Sequence, residues 1–254
     1  PKESNNKTIR FCNEGKTSVM GGFYDGRVLL LSNNLKDEPK QIKPFPDKLP
    51  IVAIEIDKNE NFSFFGNSIG NISIYKIDTE SNKWKYLDII NAHMSAIADI
   101  NCNVELNLWI SASIDGYINL YTLPLCKLIR SIKTPIKKCS NVFLSDSPLP
   151  SIIVLSNEEK YTEIFVYSIN GQLLERQKAG FFIKCPIMIK DLNSNNYLAY
   201  IKNESVIIRS CPNMFIQVSV ERINGIYAIY PSEDMKILYG INKPGSQIYV
   251  IKDE

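Results

Sequence analysis

The chain is poor in the residues that usually do chemistry, and it has no strong charge bias. It contains one histidine, His93, among 254 residues. There is no P-loop, no His-Glu-x-x-His, and no Gly-x-Gly-x-x-Gly between a strand and a helix. No Gly-x-Ser-x-Gly nucleophile elbow is read, and the only base of the usual type, His93, falls in a structural slot. These absences argue against nucleotide, zinc-protease and serine-hydrolase chemistry. Basic residues number 29 and acidic residues 27, a net charge of +2. That balance disfavours nucleic-acid binding through bulk charge. No apolar run approaches the roughly 18 residues a membrane helix needs. The N-terminal segment has no h-region and is not read as a signal peptide. It also lacks Met, so the chain reads as a fragment of something longer. Six cysteines, at 12, 102, 126, 139, 185 and 211, form no Cys-x-x-Cys and no zinc-ligand spacing. They are read as buried free thiols in a reducing cytosol. No metal or other cofactor is expected.

Helix signals are nearly absent, and strand signals recur throughout. Short runs such as Ile51–Ile56, Ile72–Tyr75, Trp109–Ser113 and Ile164–Tyr167 are rich in Ile, Val, Phe and Tyr. Gly, Asn, Asp and Pro separate them. One pattern repeats: a turn, then apolar-x-apolar, then a larger residue. Its last positions are 31, 75, 121, 167, 209 and 251, a mean spacing of 44. Three to four short strands in such a period are the mark of a β-propeller, in which each sheet buries its two apolar faces against its neighbours. The fold class expected is all-β, a WD-repeat β-propeller with six recognisable blades. One domain over 1–254 is expected, with units near 1–45, 46–90, 91–135, 136–180, 181–222 and 223–254. The sixth unit lacks an outer strand. Closure therefore comes either from N-terminal residues or from part of a seventh blade before Pro1, and the second is the expectation.

The third unit carries the fullest pattern: Ala92-His93, Ser111-Ala-Ser113-Ile-Asp115-Gly116, and Tyr117 to Tyr121. It resembles the WD-repeat consensus, in which Gly-His precedes an inner strand, Ser-Gly/Ala-Ser-x-Asp-Gly a third strand, and that strand ends in Trp-Asp. The resemblance implies a structural tetrad of His93, Ser111, Asp115 and Tyr121, with Tyr121 in the place of Trp. The first unit keeps the turn Asp at Asp25 but has no His. In the second, Ile69 falls where Asp would be, and the last three lack both. More widely, Gly22-Phe23-Tyr24-Asp25, the run from His93 to Pro135, and Phe165-Val-Tyr-Ser-Ile-Asn-Gly171-Gln-Leu173 resemble the C-terminal WD-repeat region of BEACH-domain proteins, the neurobeachin group. That resemblance implies a non-catalytic, cytoplasmic scaffold that binds proteins in vesicle or membrane trafficking and is membrane-associated through the rest of the full-length protein. Alternatives are a WD-repeat subunit of a coat, ubiquitin-ligase receptor or ciliary complex, and more remotely a propeller hydrolase.

Two further segments stand out. Lys127, Arg130, Lys133, Lys137 and Lys138 form the densest basic run, with no acid between Lys127 and Lys138. It is a candidate patch for an anionic partner or a weak contact with an anionic membrane surface. Its plainer reading is an outer strand whose lysines block edge-to-edge pairing. No Arg-Arg occurs, which disfavours a phosphoinositide-binding propeller of the Phe-Arg-Arg-Gly kind. Residues 36–50 hold four prolines within 12 positions and are expected to form a long exposed connection, not a central strand.

Overall fold

The computed structural model describes residues 6–11, 18–32, 38–57, 59, 61–78, 83–136, 138–158, 160–191, 193–220, 225–231, 237–242 and 248–252. Among these the regular structure is all β, in six antiparallel sheets. The first sheet holds β1 (Asn6–Phe11), β2 (Ser18–Phe23), β3 (Val28–Ser32) and β4 (Lys40–Ile42). The second holds β5 (Ile51–Ile56), β6 (Phe62–Asn67), β7 (Asn71–Asp78) and β8 (Lys83–Asn91). The third holds β9 (Ile97–Asn103), β10 (Leu108–Ser113), β11 (Tyr117–Thr122) and β12 (Leu128–Lys133). The fourth has β13 (Cys139–Ser145), β14 (Ser151–Asn157), β15 (Thr162–Ser168) and β16 (Leu173–Lys178). The fifth has β17 (Lys184–Lys190), β18 (Asn196–Lys202), β19 (Ser205–Ser210) and β20 (Ile216–Val220). The sixth has three strands, β21 (Ile226–Pro231), β22 (Ile237–Asn242) and β23 (Ile248–Lys252). The chain divides into two compact units, Pro1–Val142 and Phe143–Glu254.

The sheets repeat in register as well as in order. Positions 31, 75, 121, 167, 209 and 251 all lie on the third strand of their sheet. In four sheets the pairing of third with fourth strand shifts at that position: between Ile74 and Tyr75, Leu120 and Tyr121, Val166 and Tyr167, and Ile208 and Arg209. A second bulge recurs near the start of the first strand, where pairing skips one residue between Asn6 and Thr8, Ile51 and Ala53, and Ile226 and Ala228. The same skip falls between Ile97 and Asp99. Bulges increase local twist and re-aim side chains, so their recurrence marks one folding unit used again and again.

In the first unit, apolar side chains alternate between the two faces of each sheet. On β5 and β6, Ile54 and Phe65 pack with Met20, Val28 and Leu30, while Ala53 and Phe64 pack with Ile97, Ile100 and Trp109. Burying such a side chain contributes roughly 1.5–3 kcal/mol. Small residues let the sheets approach. A Cβ on Gly22 would lie 2.7 Å from Ile51 Cγ2, and one on Gly66 would lie 2.8 Å from Ile97 Cγ2. In the second unit, Phe143, Ile153, Leu155, Leu198 and Tyr200 form one core, and Ala199, Ile201, Val206 and Ile229 another.

The proline-rich segment departs from expectation. Lys40–Ile42 form an edge strand against Val28–Leu30, and Pro44 and Phe45 are buried. An edge strand tolerates nearby proline because its outer N–H groups need no partner. The sequence boundaries at 45, 135 and 180 fall between sheets, and that at 90 lies one residue inside the end of β8. The boundary at 222 lies outside the described residues.

Gly70 holds the third sheet's entry loop against the second sheet. It adopts φ +97°, its carbonyl accepts the N–H groups of Ala92 and His93, and a Cβ there would fall 2.2 Å from the His93 carbonyl oxygen. Gly70→Ala is expected to cost about 2–4 kcal/mol in chemical denaturation, through strain and a backbone clash. Gly180→Ala is the control: φ is +74° but nothing lies within 4 Å, so about 1–2 kcal/mol is expected.

Candidate functional site

The four residues singled out in the third unit come together. His93 lies in the loop before β9, Ser111 in the middle of β10, Asp115 in the β10–β11 turn, and Tyr121 near the end of β11. His93 Nε2 is 2.8 Å from Ser111 Oγ, and His93 Nδ1 is 3.3 Å from Asp115 Oδ2. The carboxylate can only accept, so Nδ1 carries the proton and Nε2 accepts from the Ser111 hydroxyl. The Tyr121 hydroxyl faces the side chains of Ser111 and Asn119. Asp115 also accepts the N–H groups of Met94 at 3.0 Å and Tyr117 at 2.9 Å. One carboxylate thus joins the entry loop, the imidazole and the turn.

Neighbours that sequence reasoning missed complete the site. Asn119 donates to the Ala92 carbonyl at 2.6 Å, and Ser113 donates to the carbonyls of Ser95 and Ala96. Trp109 stacks on Tyr121 at 4.0 Å and on Phe64 at 4.6 Å. Trp109 and Tyr121 are directly opposed in the ladder, as are Ser111 and Asn119. Residues two apart share a face, so alternation along β10 and β11 was the available signal. In the second sheet the turn lacks the Asp because Asn67 replaces it, accepting the N–H groups of Ile69 and Asn71. In the first sheet Asp25 accepts from Arg27, as Asp115 does from Tyr117.

The connectivity Asp115–His93–Ser111 is that of a hydrolase triad, so access decides its meaning. Ser111 and the His93 side chain are fully buried, Ser111 inside a strand that is paired on both edges. No carbonyl can reach that hydroxyl without unfolding the sheet. A Gly-x-Ser-x-Gly does occur, at Gly66-Asn67-Ser68-Ile69-Gly70, which sequence reasoning passed over. It joins strand β6 to strand β7, where an elbow needs a helix, and the His93 imidazole bonds Ser111 and Asp115. The thiols are no better placed as nucleophiles. Burial pushes Cys126 up to about 11 and Cys211 up to about 12, and also raises Cys102, Cys139 and Cys185. Those five form no disulfide and four of them are half-buried, whereas the sequence expectation was full burial; Cys12 lies outside the described residues. Among the described residues no three His, Cys, Asp or Glu side chains converge to hold a metal ion.

Most of the basic run lies on the outer edge of the third sheet. Arg130 and Lys133 are in β12, Lys127 precedes it, and Lys138 is exposed before β13. Lys137 lies outside the described residues. Compared with known protein families and with curated proteins, the chain matches none.

Asp115→Ala removes the acceptor of two backbone N–H groups and the imidazole. It is expected to destabilise by about 1–3 kcal/mol with an unchanged far-ultraviolet dichroism spectrum. Its denaturation midpoint against that of the parent checks this.

The imidazole also sets a pH dependence. Burial holds the His93 pKa below its ordinary value, outweighing the upward pull of Asp115. The unfolded chain takes up the proton near about 6.5 and the folded chain only at lower pH. Unfolding therefore binds a proton as pH falls through this window. The stability contributed by neutral His93 is complete above about pH 6.5 and is lost below it. His93→Gln is expected to lower stability at neutral pH and to flatten the decline between about pH 7 and pH 5 in urea titrations.

Proposed function

We propose that the chain is a non-catalytic interaction scaffold, its sheets serving as blades of a WD-type β-propeller. The observation that carries this reading is the recurrence of one four-stranded unit, with the same third-strand bulge at Tyr75, Tyr121, Tyr167 and Arg209. The way the polar groups are used supports it. Residue types that make a hydrolase relay are turned inward here and bond one another and the backbone. Such a network fixes loop conformation, and rigid exposed loops are what a scaffold presents. On the residues of the first, third and fourth units that resemble BEACH-type proteins, the chain is the C-terminal part of such a protein, cytosolic and acting through protein partners in vesicle or membrane trafficking.

Two measurements test this. The reading frame upstream of Pro1 is expected to encode a BEACH domain, and a frame without one removes the trafficking assignment. A fluorophosphonate probe separates the second reading, a hydrolase, which the Ser111–His93–Asp115 connectivity favours. The folded chain is expected to remain unlabelled, and labelling at Ser111 or Ser68 would replace the scaffold with an enzyme.

A further inference from the structure

The outer edge of the third sheet carries an unusual combination of side chains. Leu125, at the tip of the β11–β12 hairpin, is 69% exposed, and Leu128 and Ile129 are 57% and 48% exposed. The hairpin is tight: Thr122 N–H bonds the Lys127 carbonyl, Cys126 N–H bonds the Thr122 carbonyl, and Lys127 N–H bonds Thr122 Oγ1. These apolar groups are thus held in the open by a fixed backbone. Within β12 only Ile132 is buried.

Other outer strands also expose an apolar pair at or just before the bulge: Tyr86 and Leu87 on β8, Leu173 and Leu174 on β16, and Phe215 and Ile216 at the start of β20. Their charges differ. The β8 pair lies between Lys85 and Asp88, and the β16 pair is followed by Glu175 and Arg176, the latter bonded to Glu163. The β20 pair has no adjacent charge. On β12 the pair lies between Lys127 and Arg130, with Lys133 and Lys138 beyond and no acid from 127 to 138. The neighbouring strand β11 contributes no carboxylate either. Two carboxylates come near the base of the hairpin: Asp88, whose charge is felt at Cys126, and Glu105, in the turn whose Asn107 carbonyl accepts the Leu123 N–H.

We infer that this hairpin and edge form a contact for an anionic lipid surface, with Leu125, Leu128 and Ile129 entering the interface and Lys127, Arg130 and Lys133 meeting the headgroups. The bulge at Leu120 and Tyr121 and the lysines block addition of a further strand, so an acidic peptide has no ladder to join. A bilayer needs no ladder. It asks for protruding apolar groups ringed by cations, which adsorb through area and charge together.

The test is co-sedimentation of the full chain with vesicles of phosphatidylcholine alone and of phosphatidylcholine with phosphatidylserine. Binding is expected with phosphatidylserine only and should weaken as salt is raised. The Lys127→Glu, Arg130→Glu, Lys133→Glu variant should lose about tenfold or more in partitioning. The Leu125→Ser, Leu128→Ser, Ile129→Ser variant should also lose binding while keeping the parent's denaturation midpoint, because these groups are exposed. Equal binding to neutral vesicles, or loss in neither variant, overturns the inference. So does binding of a soluble acidic peptide at this edge by a chain that ignores vesicles, since the partner is then a protein.

Discussion

Phe64 and Phe65 are adjacent on one strand and both fully buried, which fixes how the first unit is built. Adjacent strand residues point to opposite faces, so the second sheet must be covered on both sides. Phe65 meets Tyr75 and Trp84 on one side, and Phe64 meets Trp109 on the other. A sheet with two apolar faces is not stable alone, and each added sheet brings another face that needs cover. The glycines at 22 and 66 and the alanine at 112 follow from the same demand. Each stands opposite a β-branched residue at or next to the start of the third strand, at Val28, Ile72 and Ile118. At the two glycines, a larger side chain would displace the isoleucine that opens the next sheet.

Carboxylates supplement this apolar contact where first strands approach one another. Glu55 on β5 accepts from Cys102 N–H and the Asn101 amide on β9, and Asp99 on β9 accepts from Val142 N–H. In the second unit Asp146 accepts from Lys190 at 2.7 Å and from the Asn196 amide. Burial pushes the Asp146 carboxyl up, but these donors outweigh it and hold the pKa below the usual value. Each such acid satisfies donors that would otherwise be stranded between sheets, which is costlier than the bond itself is favourable.

The period was legible because it lives on the third strand, where apolar residues alternate most regularly. His93, Ser111 and Asp115 were legible because the turn chemistry of Asp-Gly and the spacing of the serines survive in the third unit. The missed features share a cause: they depend on partners distant in sequence. Asn67 does the work of a turn aspartate from two residues earlier than the pattern allows, and Glu55 is an ordinary strand residue until β9 lies beside it. β4 was hidden for a different reason. Its three residues carry no apolar alternation, and their strand character comes from pairing with Val28–Leu30.

The same principle separates the two meanings of the His93 network. An Asp–His–Ser chain of hydrogen bonds is a relay in a cleft and a clamp in a core, and the distances alone do not distinguish them. What distinguishes them is where the last hydroxyl leads. In a hydrolase it opens onto space where a substrate carbonyl can sit. Here Ser111 Oγ lies beside Tyr121, whose ring is closed over by Trp109 and then Phe64. The stack that seals the hydroxyl is also the packing between the second and third sheets. Opening the serine to a substrate would therefore disturb the packing that surrounds the imidazole, and it is this coupling between the hydrogen-bonded chain and the aromatic stack that makes the network a clamp between loop, strand and turn.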